Sequence, residues 1–166
     1  MLRAIFACLA IAIGAASAFA DARRDCEQSY DRQLTIRGCS EVIRYDGGAA
    51  WAYANRSHAY ERIGQYRLSL ADANMAIQLD PSHPLHFVNR AAAHIGLRDY
   101  SSAMADTNTA LRIDPRHALA YVNRAYIYEQ LGDRNRAIDD YRRTLQYDPG
   151  HQYARDALRR LGAAPY

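Results

Sequence analysis

Apolar residues recur three and four apart along most of this chain, and the pattern resets at fixed distances. Trp51, Tyr53, Ala59, Tyr60 and Ile63 fall at helical spacing, and Gly64 breaks the run. A second helix is predicted over 66–79, with Leu68, Leu70, Ala73, Ala76 and Ile77 on its apolar side. Pro81 stops it, because proline cannot continue the hydrogen-bond ladder. The same plan predicts helices over 84–97, 100–113, 118–131 and 134–147. The period is 34 residues. Asp80-Pro81-Ser82-His83, Asp114-Pro115-Arg116-His117 and Asp148-Pro149-Gly150-His151 hold one phase. Tyr53-Ala54-Asn55-Arg56, Phe87-Val88-Asn89-Arg90 and Tyr121-Val122-Asn123-Arg124 hold another, and Ala76-Ile77, Ala110-Leu111 and Thr144-Leu145 a third. No half-unit can bury its apolar face alone, so the units must stack. Small residues such as Ala103, Ala110, Ala125 and Ala137 let helices approach. Phe87, Tyr100, Tyr121 and Tyr141 fill the space between them as core.

The ends depart from the repeat, as the ends of a stacked array do. Gln152 to Leu161 predicts one more amphipathic helix, with Tyr153, Ala157, Leu158 and Leu161 inward. A helix over about 31–45, capped by Asp31 and ended by Asp46-Gly47-Gly48, would cover the first unit. Ahead of it, one positive charge (Arg3), an apolar stretch from Ala4 to Ala16 and a small-residue end are the parts of a secretory signal. Ala18-Phe19-Ala20 offers cleavage before Asp21, and Ala16-Ser17-Ala18 is a second junction. The rival is an uncleaved anchor, for which the stretch is short of the ~20 residues a bilayer needs. The organisation read from the chain is 1–20 signal, 21–49 N-terminal cap, 50–83, 84–117 and 118–151 repeats, and 152–166 C-terminal helix and tail.

Composition narrows the chemistry. Of 166 residues, 49% are apolar and 23% charged, an ordinary globular mix. All 21 basic side chains are Arg, so a Schiff-base lysine and a Walker-type phosphate lysine are excluded. A net charge of +3 is too small for a nucleic-acid footprint. Only Cys26 and Cys39 survive removal of the signal. An even pair in an exported chain reads as one disulfide, with a redox pair or metal ligands as the alternatives. No paired carboxylates, Gly-rich phosphate loop or Gly-x-Ser-x-Gly elbow is present, so no enzyme is read here. No cofactor is expected.

The 34-residue period, the early aromatic in the first helix, the aromatic opening the second, the small residue late in it and the Asp-Pro ending together resemble the tetratricopeptide repeat proteins. The likeness covers Ala50 to His151 as three units plus caps. The Cys-containing lead-in resembles that of some small exported bacterial members. Ser69, Thr144 and Arg134 depart from the pattern and put local packing in question. The resemblance implies an all-α solenoid whose first helices line a concave groove that binds a peptide or protein, in a periplasmic or secreted setting. No nucleic acid is expected, nor membrane insertion once the signal is gone.

The groove residues so implied are Trp51, Ala54, Asn55, His58, Glu61 and Arg62, then Leu85, Val88, Asn89, Ala92 and Ile95. Leu119, Val122, Asn123, Tyr126, Glu129 and Gln130 follow, with Tyr153 and Arg160 from the last helix. One Asn per unit, at 55, 89 and 123, makes a row of amides. Two readings stand: the row holds the main chain of an extended segment, or it hydrogen-bonds a neighbouring helix. Lys and Arg that would hold a terminal carboxylate are replaced by Ala54, Leu119 and Asn123, which argues against an acidic C-terminal tail. Arg56, Arg90 and Arg124 read as partners of Asp72, Asp106 and Asp140 between helices. His83, His117 and His151 stand about a helix diameter apart, too far to share one metal ion, and read as turn residues. The function expected is that of an envelope adaptor. A constitutive structural subunit, or a homo-oligomer, is the alternative.

Overall fold

Each Asp-Pro pair ends one helix and releases the chain into a short turn, so the prolines cut the sequence into hairpins. The computed structural model describes residues 17–28 and 30–164. Among the described residues there are nine helices and no strand. They are α1 (17–28), α2 (Arg32–Tyr45), α3 (Ala50–Arg62), α4 (Tyr66–Leu79), α5 (Pro84–Gly96), α6 (Tyr100–Ile113), α7 (Ala118–Gln130), α8 (Arg134–Tyr147) and α9 (Gln152–Arg160). The hairpins α3–α4, α5–α6 and α7–α8 stack in chain order, and α3 touches α5 as α5 touches α7. α2 covers the first hairpin and α9 the last. This is the all-α solenoid that the resemblance implied, with helix ends within one residue of those the pattern predicted.

α1 is a helix the pattern did not predict. Residues 17–20, assigned to the signal, are helical and belong to α1, and the rest of the signal lies outside the described residues. α1 crosses α2 at Gly38, where an added Cβ would lie 2.6 Å from the Ala22 carbonyl oxygen and 2.7 Å from the Cys26 nitrogen. One residue on, Cys39 is joined to Cys26 by the disulfide, and both sulfurs are buried. The Asp31 carboxylate caps α2 by accepting from the Gln33 and Leu34 amides, at 2.8 and 3.3 Å.

Small side chains form most of the contact between helices. Ala52, Ala59, Ala73, Ala76, Ala91, Ala103, Ala110, Ala125 and Ala137 are sealed from solvent, and Tyr141, Ile127 and Leu158 fill the larger gaps. Two expectations are corrected here. Leu68, expected inside, is 49% exposed, because Ser69 and Ala73 take the face that meets α3. Tyr153, expected inside, is 43% exposed, because Ala154 occupies the closest approach of α9. The departures from the repeat are locally satisfied. Ser57 donates to the Ser69 carbonyl at 2.9 Å and meets its hydroxyl at 3.1 Å, where the other units hold Ala91 with Ala103 and Ala125 with Ala137. The Thr144 hydroxyl donates to the Asp140 carbonyl, and Arg134 donates to the Leu161 carbonyl at the end of α9.

The predicted Arg–Asp pairs form in every unit and carry a third link. Arg90 grips Asp106 with two bonds of 2.9 and 2.7 Å, and its remaining Nη1 donates to Asn74 of the preceding unit at 3.0 Å. Arg124 binds Asp140 and Asn108 in the same way, and Arg56 binds Asp72 and Ser40. Each guanidinium therefore ties its own hairpin together and ties it to the element before it, α2 for the first hairpin and the preceding hairpin for the others.

The turn inside each hairpin needs a left-handed residue. Gly64 and Gly132 supply it with φ of 76° and 80°, whereas the second unit uses Arg98 at 61°. A side chain in this region costs about 1 kcal/mol relative to glycine. Arg98→Gly is expected to raise stability by about 1 kcal/mol, read as a higher thermal midpoint. An unchanged or lower midpoint would mean that Arg98 makes a compensating contact.

Candidate functional site: the face of the first helices

Because α3, α5 and α7 contact one another in series, their outer surfaces form one continuous face. α1 meets this face at one end and α9 at the other. Asn55 stands between two hollows. One, of about 460 Å³, is lined by Trp51, Ala54, Asn55, Leu85 and the Asp80–His83 turn. The other, of about 120 Å³, is lined by Cys26, Glu27, Arg32, Asn55 and His58.

The asparagine row faces inward with its donors. The Asn89 amide donates to the Ala54 carbonyl at 2.9 Å, and Asn123 donates to the Val88 carbonyl at 3.3 Å. Asn55 donates to the Cys26 carbonyl at 3.3 Å. Each amide thus bonds the main chain of the preceding helix on this face, and Asn89 is only 7% exposed. Each Asn retains its carbonyl oxygen, because the bond uses a donor.

The other expected residues divide by access. Val88 and Val122 are buried in the floor. Leu85, Glu61, Tyr126 and the remaining surface of Asn55 and Asn123 are half-buried. His58, Arg62 and Leu119 are exposed, with Leu119 43% open. At the far end Glu129 accepts from the buried Tyr141 hydroxyl at 2.9 Å and pairs with Arg160 at 2.9 Å. Burial, with Tyr153 and Glu129 close by, pushes the Tyr141 phenol far above its ordinary range. Burial beside Tyr100 and Tyr153 also raises the Tyr126 phenol. Both phenols stay neutral, so at the C-terminal end of the face the aromatic surface of Tyr126 lies beside the Glu129–Arg160 pair. Among the described residues no group of three His, Cys, Asp or Glu could hold a metal ion.

The sequence reading missed the targets of the asparagines and the link to Asn74 and Asn108. The phase could have shown the second: Ser40, Asn74 and Asn108 recur at the same period as Arg56, Arg90 and Arg124.

The family model described as tetratricopeptide repeat matches residues 118–151, and a second model of the same description matches 52–83. No curated protein matches the chain. Solved structures do. An Arabidopsis OM64 TPR domain is 27% identical over 69% of this chain and 94% of its own, with a TM-score of 0.65. The first TPR of Spaghetti (RPAP3), bound to the HSP90 peptide SRMEEVD, is 26% identical over 70% of this chain and 93% of its own, with a TM-score of 0.63. A thermophilic TPR protein of Thermus thermophilus, at 17% identity, matches in fold with a TM-score of 0.72 over 78% of this chain and 72% of its own. The two matched segments are the first and third units, and the second repeats their markers at the same phase. The chain is a tetratricopeptide repeat protein.

Proposed function

We propose that this protein is a peptide- or protein-binding adaptor of the cell envelope, capturing an extended segment on the face of α3, α5 and α7. The observation that carries the reading is the run of accessible apolar and aromatic surface there: Trp51, Leu85, Leu119, Tyr126 and Tyr153. An open, partly apolar face without a closed cavity suits a chain-like ligand better than a small molecule. The relative bound to SRMEEVD supports the peptide class. Its acidic tail is not carried over, because Ala54, Leu119 and Asn123 stand where cations would hold a terminal carboxylate. The asparagines contribute by fixing the spacing of the helices, and the half-buried Asn55 and Asn123 also leave side-chain surface on the face.

Export is part of the proposal. The N-terminal apolar stretch and the buried Cys26–Cys39 bond support it. Cleavage after Ala20 would remove the Phe19 ring that meets Tyr45 edge-on at 5.6 Å, but it would keep Ala22 and Cys26, which pack on α2.

Leu119→Asp tests the capture, because Leu119 lies on the face and is too exposed to be needed for folding. A cross-linked pull-down from the native envelope fraction would compare this variant with the wild type. We expect one protein to be enriched by the wild type and reduced about tenfold by the variant, since a central apolar contact is worth 1–2 kcal/mol. The same captured set from both would place the binding surface elsewhere and favour a structural subunit.

A further inference from the structure

The helices of this chain start in two different ways. Within the second and third hairpins, α6 and α8 are capped by carboxylates: Asp99 accepts from the Ser102 amide at 3.1 Å and Asp133 from the Arg136 amide at 3.0 Å. Where one unit hands over to the next, the capping residue is histidine: His83 before α5, His117 before α7 and His151 before α9. His83 Nδ1 accepts from the Leu85 amide at 3.3 Å, and His151 Nδ1 accepts from the Ala154 amide at 3.4 Å. Histidine is a poor choice for this position unless its state matters, because an imidazole nitrogen accepts only while unprotonated. A proton there removes the acceptor and sets a cation against the positive end of the helix dipole.

Two imidazoles with a buried Nδ1 make the junctions less tolerant of charge: His117, which holds the N-cap position of α7 without a side-chain cap bond, and His86. His117 Nδ1 is buried with no partner, so a proton on it would be a donor without an acceptor. His86, one turn into α5, is 4% exposed, stacks on the His83 ring at 4.8 Å and also has an unpartnered Nδ1.

We propose that the junctions between units form a proton-sensitive series, in which mild acid loosens unit from unit while the second and third hairpins keep their carboxylate caps. The groups facing these rings are carboxylates and neighbouring imidazoles. Asp80 lies 3.9 Å from His86 Nε2, and Asp46 and Asp80 line the hollow that His83 and His86 share. Asp114 and His83 act on His117, and Asp148 precedes His151 in its turn. Burial outweighs the carboxylates at His86 and His117 and holds both below the ordinary imidazole value. A folded value below the unfolded one means that the unfolded chain takes up more protons in acid. The stabilisation is therefore full above about pH 6.5 and is lost as pH falls below it.

The test compares about pH 7.5 with about pH 5.5, using the chain with its disulfide intact. We expect the melting midpoint to fall by several degrees. We also expect the Leu85 and Ala154 amides to exchange about fivefold faster after correction for intrinsic rate, as loss of a cap requires, with Ser102 and Arg136 unchanged. In the triple variant His83→Asp, His117→Asp, His151→Asp every junction carries a carboxylate that stays an acceptor at both pH values, and the acid shift should shrink by half or more. His86→Gln serves as an independent check and should reduce the shift alone. An equal acid shift in these variants, or equal acceleration at Ser102 and Arg136, overturns the proposal.

Discussion

Arg90→Met is expected to cost about 3 kcal/mol of folding free energy, because it strands a buried carboxylate. Asp106 is 5% exposed and takes two of its bonds from Arg90. Methionine keeps the length and apolar stem of the side chain, so packing changes little. With Arg90 gone, the cationic side chain gripping Asp106 is lost, and the nearest remaining basic ring among the described residues is His94, 3.9 Å from Asp106 Oδ2. The same change frees Asn74 and cuts a link to the preceding unit. The measurement is the chemical denaturation midpoint, with Arg90→Met, Asp106→Leu as the second arm. That pair should recover most of the loss, because the stranded charge goes with it. A single variant within about 1 kcal/mol of wild type, the scale of an exposed pair, would show that solvent reaches Asp106.

Gly38→Ala should reverse the usual sign of that substitution. In an ordinary helix interior it stabilises by about 1 kcal/mol. At Gly38 the new methyl would meet backbone atoms of α1 at 2.6 and 2.7 Å, with Asp25 Cβ at 2.8 Å. Backbone cannot swing aside as a side chain can, and the adjacent Cys39 is tied to Cys26 on the same helix. α1 must then shift as a body, and the Asn55 bond to the Cys26 carbonyl shifts with it. Overpacking of this kind costs about 2 kcal/mol. The expected readout is a lower thermal midpoint together with faster reduction of the disulfide by dithiothreitol. A variant more stable than wild type would sink the idea that α1 bears on α2 at this point.

Much of the fold was legible because the repeat writes each feature three times. Helix ends follow from Pro81, Pro115 and Pro149, and the Arg–Asp pairs follow from a shared phase across each hairpin. α1 was hidden because it lies outside the period and overlaps a segment with the composition of a signal. Exposure was misjudged at Leu68 and Tyr153, since helical spacing gives the direction of a face but not which of two adjacent residues makes closest contact. The face of α3, α5 and α7 was legible as a set of positions. What each Asn reaches was not, because its acceptor is a main-chain carbonyl, and carbonyls have no sequence signature. The histidines were legible as turn residues, but their role as acceptors depends on a ring nitrogen meeting an amide two or three residues on.

The polar links between units also decide where the array can grow. Asn55, Asn89 and Asn123 are followed at the same interval by Ala157, and Arg56, Arg90 and Arg124 by Leu158. Position 142, which continues Ser40, Asn74 and Asn108, holds Arg. The C-terminal helix α9 therefore lacks the plug, and α8 before it lacks the side-chain socket, that join the other units. Residues 84–117 carry both: Asn89 and Arg90 reach back, while the Val88 carbonyl and Asn108 receive. That segment is a cassette with matching ends, and a tandem copy of it would find every bond it needs on either side. Both ends depart from the joining pattern, with Asp21 and Ala22 one period before Asn55 and Arg56, while the interior of the chain is open to duplication.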